Sequence, residues 1–287
     1  MPVAPKLKTP AGACDWHMHI FDARFPLAKH ARRKEADATV SQYRKVQQHL
    51  GLERVIVVQP TAYGKDNRCT LAAVSELGEC ARGIAVVDNN VTDAELERLT
   101  RGGMRGVRFR MLDTPELGWA LLPEMAARLA SFGWHVQFQM DGRFFEDRAE
   151  LLRRLPCTLV HIGKFPEPVL PDHRGFQSLL RILESGRCWV KLSGAYMMSK
   201  SGPPLYEDIG ILAKALVQRA PERLVWASNW PHPLSAPTAC RTMRHCSIPC
   251  SIGHLTQIRV IAYLRRILLS FTVLVADSRA THREASS

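Results

Sequence analysis

"TDAELERLTRGGMRGVRFR", residues 92–110, contains one helix followed by one strand, and the recurrence of that unit decides the fold. Thr92 is a helix-capping type and Glu95 stands three residues on, the spacing of a capping box. "MRGVRFR" (104–110) reads as the strand that follows. Seven further strands are expected within "AGACDWHMHIF" (11–21), "ERVIVVQP" (53–60), "RGIAVV" (82–87), "WHVQFQM" (134–140), "CTLVHIG" (157–163), "CWVKLSG" (188–194) and "RLVWASN" (223–229). After the first, each is preceded by a helix-like segment such as "SQYRKVQQHLGL" or "GFQSLLRILESG". Short apolar runs alternating with helices imply βαβ units and parallel strands. Eight of them predict an α/β chain folded as a single-domain (β/α)8 TIM barrel. A doubly wound open sheet is the alternative, but the chain has no GxGxxG or Walker A sequence.

The chain of 287 residues is long enough to bury a large core. Its start has no apolar run of the signal-peptide kind. The nearest approach to a membrane span, residues 258–276, carries Arg259, Arg265 and Arg266, and charge at that depth is costly. A cytoplasmic protein with no membrane partner is expected. The eight cysteines form no CxxC pair and are expected as free thiols. Cys246 and Cys250, near His245 and His254, match no standard zinc spacing. Residues 234–287 hold seven Arg and no Lys against one Asp and one Glu, a net +5 of the whole chain's +12. The excess left in the first 233 residues fits a small anionic substrate. Its cations are dispersed among acids, so no nucleic-acid partner is expected.

In a barrel of this kind, chemistry resides at the C-terminal strand ends. The polar residues there are His17 and His19 after the first strand and Gln59 and Thr61 after the second. Arg108 and Arg110 follow the fourth, Gln139 and Asp141 the fifth, and His161 and Lys164 the sixth. Ser193 and Tyr196 follow the seventh, and Asn229 and His232 the eighth. His17 and His19, two apart on a strand, face the same side, here the interior. Such a pair either binds a metal or polarises a carbonyl oxygen. The Arg108 guanidinium matches a substrate carboxylate bidentately, or else forms an ion pair at the rim.

The motifs "CDWHMHIFD", "VVQPTAYGKDN", "RGVRF", "HIGKF", "WVKLSGAY" and "ASNWPHP" occur in that order between residues 14 and 233. With them the chain resembles the amidohydrolase superfamily (amidohydrolase-related family 2), in the branch of 2-pyrone-4,6-dicarboxylate lactonase. The resemblance implies a barrel hydrolase that cleaves a lactone or ester of a small carboxylated compound, of the kind met in aromatic degradation. It also implies that His17, His19 and His161 face the substrate carbonyl or a metal. Thr61 and Arg108 would hold a carboxylate, and the Asn229 position would carry the general base. Gln139 and Tyr196 join the substrate-binding set, and His232 the catalytic set.

Two departures qualify that expectation. Metal-dependent relatives use the HxH pair, a histidine after each of strands five and six, and an aspartate after strand eight. Here strand five ends in Gln139, with His135 at its start, and strand eight ends in Asn229. A zinc or manganese ion would retain His17, His19 and His161, a set that can hold zinc; the resemblance to the lactonase branch, which works without metal, implies a metal-free site as the favoured reading. An amide cannot take a proton from water, which leaves His232, His161 or Asp15 as the base. The alternatives are a metal-dependent hydrolase or decarboxylase, or a catalytically impaired homologue that binds a small anion. "RMLD" (110–113) also departs from the lactonase, which places a second clamping arginine several residues after the first. The long loop "SGAYMMSKSGPPLY" (193–206) is expected to shape the pocket through Tyr196 or Lys200.

Composition changes abruptly after Pro233. The barrel is therefore assigned to residues 1–233, and residues 234–287 form an atypical segment where a closing helix is expected. That segment reads as the product of a shifted reading frame or as a divergent tail.

Overall fold

A computed structural model describes residues 9–29, 31, 37–111, 118–203 and 205–233. Eight strands run in sequential order around one sheet: β1 (Cys14–Met18), β2 (Arg54–Val58), β3 (Ala81–Ala85), β4 (Met104–Met111), β5 (His135–Met140), β6 (Cys157–Leu159), β7 (Cys188–Leu192) and β8 (Leu224–Trp226). Every neighbouring pair from β1–β2 to β7–β8 is parallel. The helices between them are α1 (Val40–Leu50), α2 (Arg68–Leu77), α3 (Asp93–Arg101), α4 (Leu122–Ser131), α5 (Phe145–Arg154), α6 (Arg174–Glu184) and α7 (Glu207–Arg219). This is the expected (β/α)8 TIM barrel. Thr92 caps α3 by accepting from the Glu95 amide at 3.2 Å, which satisfies an orphan donor of the first turn.

The barrel closes through the chain that follows β8. The Asn229 amide donates to the His17 carbonyl at 2.8 Å, and the His19 amide donates to the Trp230 carbonyl at 2.8 Å. Asp15 clamps the same seam from the helix side. Its buried carboxylate accepts from the His17 amide (3.1 Å), the Ser228 amide (3.0 Å), the Ser228 hydroxyl and the Tyr43 hydroxyl of α1 (3.0 Å). A carboxylate so committed is structural, so Asp15 is removed from the candidate bases.

Side chains alternate between two apolar regions. Val107, Phe109, Val136, Phe138, Val190 and Leu192 face the helices within the main core. Cys14, Trp16, Val225 and Ala227 pack with Ile56 and Trp189 into a separate cluster that forms the barrel floor. The strands stop earlier than expected at two places. After β6 the chain enters a 3-10 turn (His161–Gly163) with left-handed backbone at His161 and Ile162, and after Trp226 no ladder continues β8.

One expectation needs correction. Cys157 and Cys188 stand opposite each other in the β6–β7 register with Cα atoms 4.9 Å apart, and they are joined as a disulfide. Parallel pairing brings the two sulfurs together on the helix-facing side, which spacing along the chain could not reveal. Cys14, Cys69 and Cys80 are free. The atypical segment 234–287, together with Leu112 and Asp113 of the "RMLD" departure, lies outside the described residues.

Candidate active site

A bulge between Asp15 and Met18 shifts the phase of β1 against β2. Upstream of it Asp15 meets α1; downstream, His17 and His19 both enter the barrel. Their Nε2 atoms are 3.2 Å apart, and His19 Nδ1 lies 2.8 Å from the Val58 carbonyl. The expected same-face pair is therefore present. Beneath it lie two residues that the sequence reading missed, Gln137 and Lys191. Lys191 Nζ donates to the Trp16 carbonyl at 2.6 Å and to Gln137 Oε1 at 2.7 Å, and lies 3.3 Å from His17 Nδ1. Gln137 Nε2 is also 3.3 Å from that nitrogen. Period two would have found both, because "HVQFQM" and "WVKLSG" place polar residues at alternate positions in otherwise apolar strands.

His161 joins the group from the turn after β6, its ring centroid 5.2 Å from that of His17. Its Nδ1 lies 3.0 Å from the Ser193 hydroxyl. Gly194 makes this approach possible: its φ is +67°, and a Cβ there would stand 2.6 Å from His161 Nδ1. Only glycine combines that backbone with that clearance.

Arg108 reaches the same space from β4. One guanidinium nitrogen lies 3.3 Å from the Gln59 carbonyl, and the other donates to Gln139 Oε1. Gln59 itself is occupied by Thr70 and by the Gly64 and Asp66 carbonyls. Thr61 is exposed on the 3-10 turn after β2, at the rim rather than in the interior. Lys164 is pushed down to about 8, first by burial and then by Arg110 and Arg108. Lys200 points away, exposed and 3.6 Å from Glu167.

Asn229 adopts a left-handed backbone (φ 54°) and is almost wholly buried. Its Nδ2 donates to the Tyr196 hydroxyl at 2.8 Å, and that hydroxyl donates to the Pro233 carbonyl at 2.9 Å. Asn229 Oδ1 has no hydrogen-bond partner among the described residues. A buried acceptor left this way carries a desolvation penalty, so it suits a ligand or water donor. His232 is buried in the same loop, its ring edge-on to Tyr196 with centroids 5.7 Å apart. The structure thus brings His17, His19, His161, Arg108, Gln139, Asn229, Tyr196 and His232 to one mouth and leaves Thr61 at its edge.

The imidazoles are held neutral. Burial is the first cause of the lowered value at each of them. His17 and His161 fall well below the ordinary histidine range, His19 to about 3 and His232 to about 4. Nearby cations add to this: Lys191 at His17, Arg108 at His19 and Lys164 at His161. A neutral imidazole offers one N–H donor and one lone pair.

The His17–His19 Nε2 separation of 3.2 Å is near the roughly 3.4 Å between two nitrogens on a tetrahedral zinc. The rest of the donor set does not fit a divalent ion. Among the described residues no three His, Cys, Asp or Glu side chains converge for one. The position after β8 offers an amide where a carboxylate would offset the charge, and the buried neighbour Arg108 is a cation.

Histidines and an arginine fork gathered at the C-terminal ends of barrel strands define a barrel enzyme of the hydrolase class. The amidohydrolase family pattern matches residues 14–239, and the chain belongs to that family. It is 35% identical to a 2-pyrone-4,6-dicarboxylate hydrolase of Comamonas testosteroni, over 81% of both chains. It is 32% identical to a D-galactarolactone isomerase of Agrobacterium fabrum, over 80% of both. A solved apo structure from Agrobacterium tumefaciens superposes with a TM-score of 0.81 at 29% identity, covering 92% of this chain and 96% of the other.

Proposed function

We propose that this amidohydrolase opens a lactone of a small carboxylated compound by attack of water on its carbonyl, in the cytoplasm and without a metal ion. The observation that carries the reading is the Arg108 fork set beside neutral imidazoles in one buried mouth. Arg108, steadied by Gln139, holds the carboxylate, with Thr61 at the rim. The imidazoles of His17, His19 and His161 line the site of the carbonyl oxygen; the N–H groups of His17 and His161 stabilise the charge that develops there, and His19 orients His17. Asn229 Oδ1 accepts a hydrogen bond from the attacking water, and His232 supports it. An amide cannot bind the water's proton, so a histidine, His161 or His232, receives it and returns it to the leaving ring oxygen. The buried Arg108 cation and the amide in place of a carboxylate after β8 support the metal-free part. Among the described residues no helix is long and apolar enough to cross a membrane.

Asn229 favours a second reading on the same site. Where no carboxylate activates water, a hydroxyl of the substrate can attack its own lactone carbonyl. One ring ester then exchanges for another, and the proton passes to the released oxygen.

The test uses 2-pyrone-4,6-dicarboxylate and D-galactarolactone with chelator-treated protein in water enriched in oxygen-18. Hydrolysis places one heavy oxygen in the product carboxylate. Isomerisation places none and favours the second reading. The Arg108→Met variant is expected to raise KM by about 10- to 100-fold, the loss of a charged hydrogen-bonded pair. Turnover that survives His17→Ala would remove the site, and activity restored only by zinc or manganese would remove the metal-free part. Tight binding without turnover would leave an anion-binding homologue.

A further inference from the structure

Lys191 lies on β7 with only 1% of its surface exposed, inside the barrel beside His17 and Gln137. The hydrogen bonds around it determine where the protons of the histidine pair lie. A carbonyl oxygen can only accept, so His19 carries its proton on Nδ1, toward Val58 at 2.8 Å. His19 Nε2 is then a lone pair. It faces His17 Nε2 at 3.2 Å, so the proton of neutral His17 belongs on Nε2. That leaves His17 Nδ1 as a lone pair in need of a donor. Lys191 Nζ and Gln137 Nε2 both stand 3.3 Å from it. Gln137 is oriented by the same lysine, since its Oε1 accepts from Nζ at 2.7 Å. The Trp16 carbonyl also accepts from Nζ, at 2.6 Å; burial holds Lys191 well below the ordinary lysine range, and charged or neutral its hydrogen bond to Gln137 Oε1 turns Gln137 Nε2 toward His17 Nδ1.

We propose that Lys191 is a positioning residue that fixes His17 as the Nε2–H tautomer, so that the imidazole proton lies on the nitrogen that faces His19, from which a developing oxyanion can draw it. The assignment of that proton to a developing oxyanion rests on the hydrolase reading above; the tautomer itself does not. Without Nζ, Gln137 can turn its Oε1 to His17 Nδ1. The proton then moves to Nδ1, and His17 presents a lone pair where a donor is required. A lone pair facing an oxyanion repels it.

Protein labelled with nitrogen-15 at histidine tests this by long-range proton–nitrogen correlation, with His17→Asn and His19→Asn assigning the two rings. The wild type is expected to show His17 as Nε2–H and His19 as Nδ1–H. In Lys191→Met, His17 is expected to shift to Nδ1–H or to a mixture, while His19 stays unchanged. With 2-pyrone-4,6-dicarboxylate as probe, kcat falls by about 10- to 100-fold, as for lost support of a reacting ligand, while KM stays near the wild-type value. Gln137→Leu is expected to keep His17 as Nε2–H, because Nζ remains. An Nδ1–H signal for His17 in the wild type would overturn the proposal even if Lys191→Met does not fold. An unchanged spectrum in Lys191→Met, or a tautomer switch in Gln137→Leu, would also overturn it. A correct spectrum with no lactone turnover would count against the hydrolase reading alone.

Discussion

The backbone amide of Asn229 donates to the carbonyl of His17 across 2.8 Å, so the residue after β8 and the first residue of the histidine pair are fixed to each other by main chain alone. Barrel closure and site assembly are thus one event. A side chain can change at Asn229 while the backbone keeps its place.

Asn229→Asp therefore tests the missing base directly. The carboxylate would replace an amide whose Oδ1 lacks a partner among the described residues. Lactone hydrolysis is expected to rise by about 100-fold, the lower range of general-base catalysis. Equal or lower kcat in the variant would mean that the wild-type proton path avoids this position.

Gly194→Ala should disable His161 without touching it. The added Cβ would sit 2.6 Å from His161 Nδ1, on a backbone with φ of +67°. A stability loss of about 1–3 kcal/mol is expected from the strained backbone. A kcat loss of about 100-fold is expected from displacement of the imidazole. Thermal unfolding and steady-state kinetics read the two effects separately. Full activity in the variant would show that His161 has no fixed role.

Tyr196→Phe removes a hydroxyl that accepts from Asn229 Nδ2 at 2.8 Å and donates to the Pro233 carbonyl at 2.9 Å. The variant leaves that amide with the Met197 sulfur at 3.6 Å. Denaturant titration should show a loss of about 1 kcal/mol. If Asn229 orients water, kcat falls while KM hardly moves.

Acid should destabilise the fold through its buried histidines. Unfolded, His19 and His232 titrate near 6.5; folded, burial holds them at about 3 and about 4. Between these limits the unfolded chain binds protons that the native chain does not. The stability is present in full above about pH 6.5 and is lost as pH falls toward the folded values. Each such histidine contributes about 2 kcal/mol of loss between pH 6.5 and 5. The buried Asp15 carboxyl, raised first by burial, slopes the other way. The difference between wild type and His232→Gln isolates one group, and the variant's profile should be shallower. Parallel profiles would show that His232 is not buried neutral.

Much of this was legible along the chain. Thr92 and Glu95 announced α3, and eight alternations announced the barrel, because capping and burial periodicity are local properties. The strand-end rule then selected His17, His19, Arg108, Gln139 and Asn229 before any coordinate. Lys191 and Gln137 were missed because they lie one and three positions before their strand ends, where attention to the mouth does not reach. Asp15 was misjudged because a bulge between Asp15 and Met18 turns it to α1, and a bulge leaves no mark in residue type. The Cys157–Cys188 pairing depended on the register of β6 against β7, which residues 31 apart cannot state.

The sequence by itself determined the barrel, the family and the residue types offered at its mouth, since each follows from periodicity and short motifs. Only the tertiary structure decided which of those residues meet and in what protonation state. Tautomers, neutral imidazoles and the structural commitment of Asp15 arise from burial and from partners such as Val58, Ser228 and Lys191. Most of those partners stand tens or hundreds of residues away in the chain.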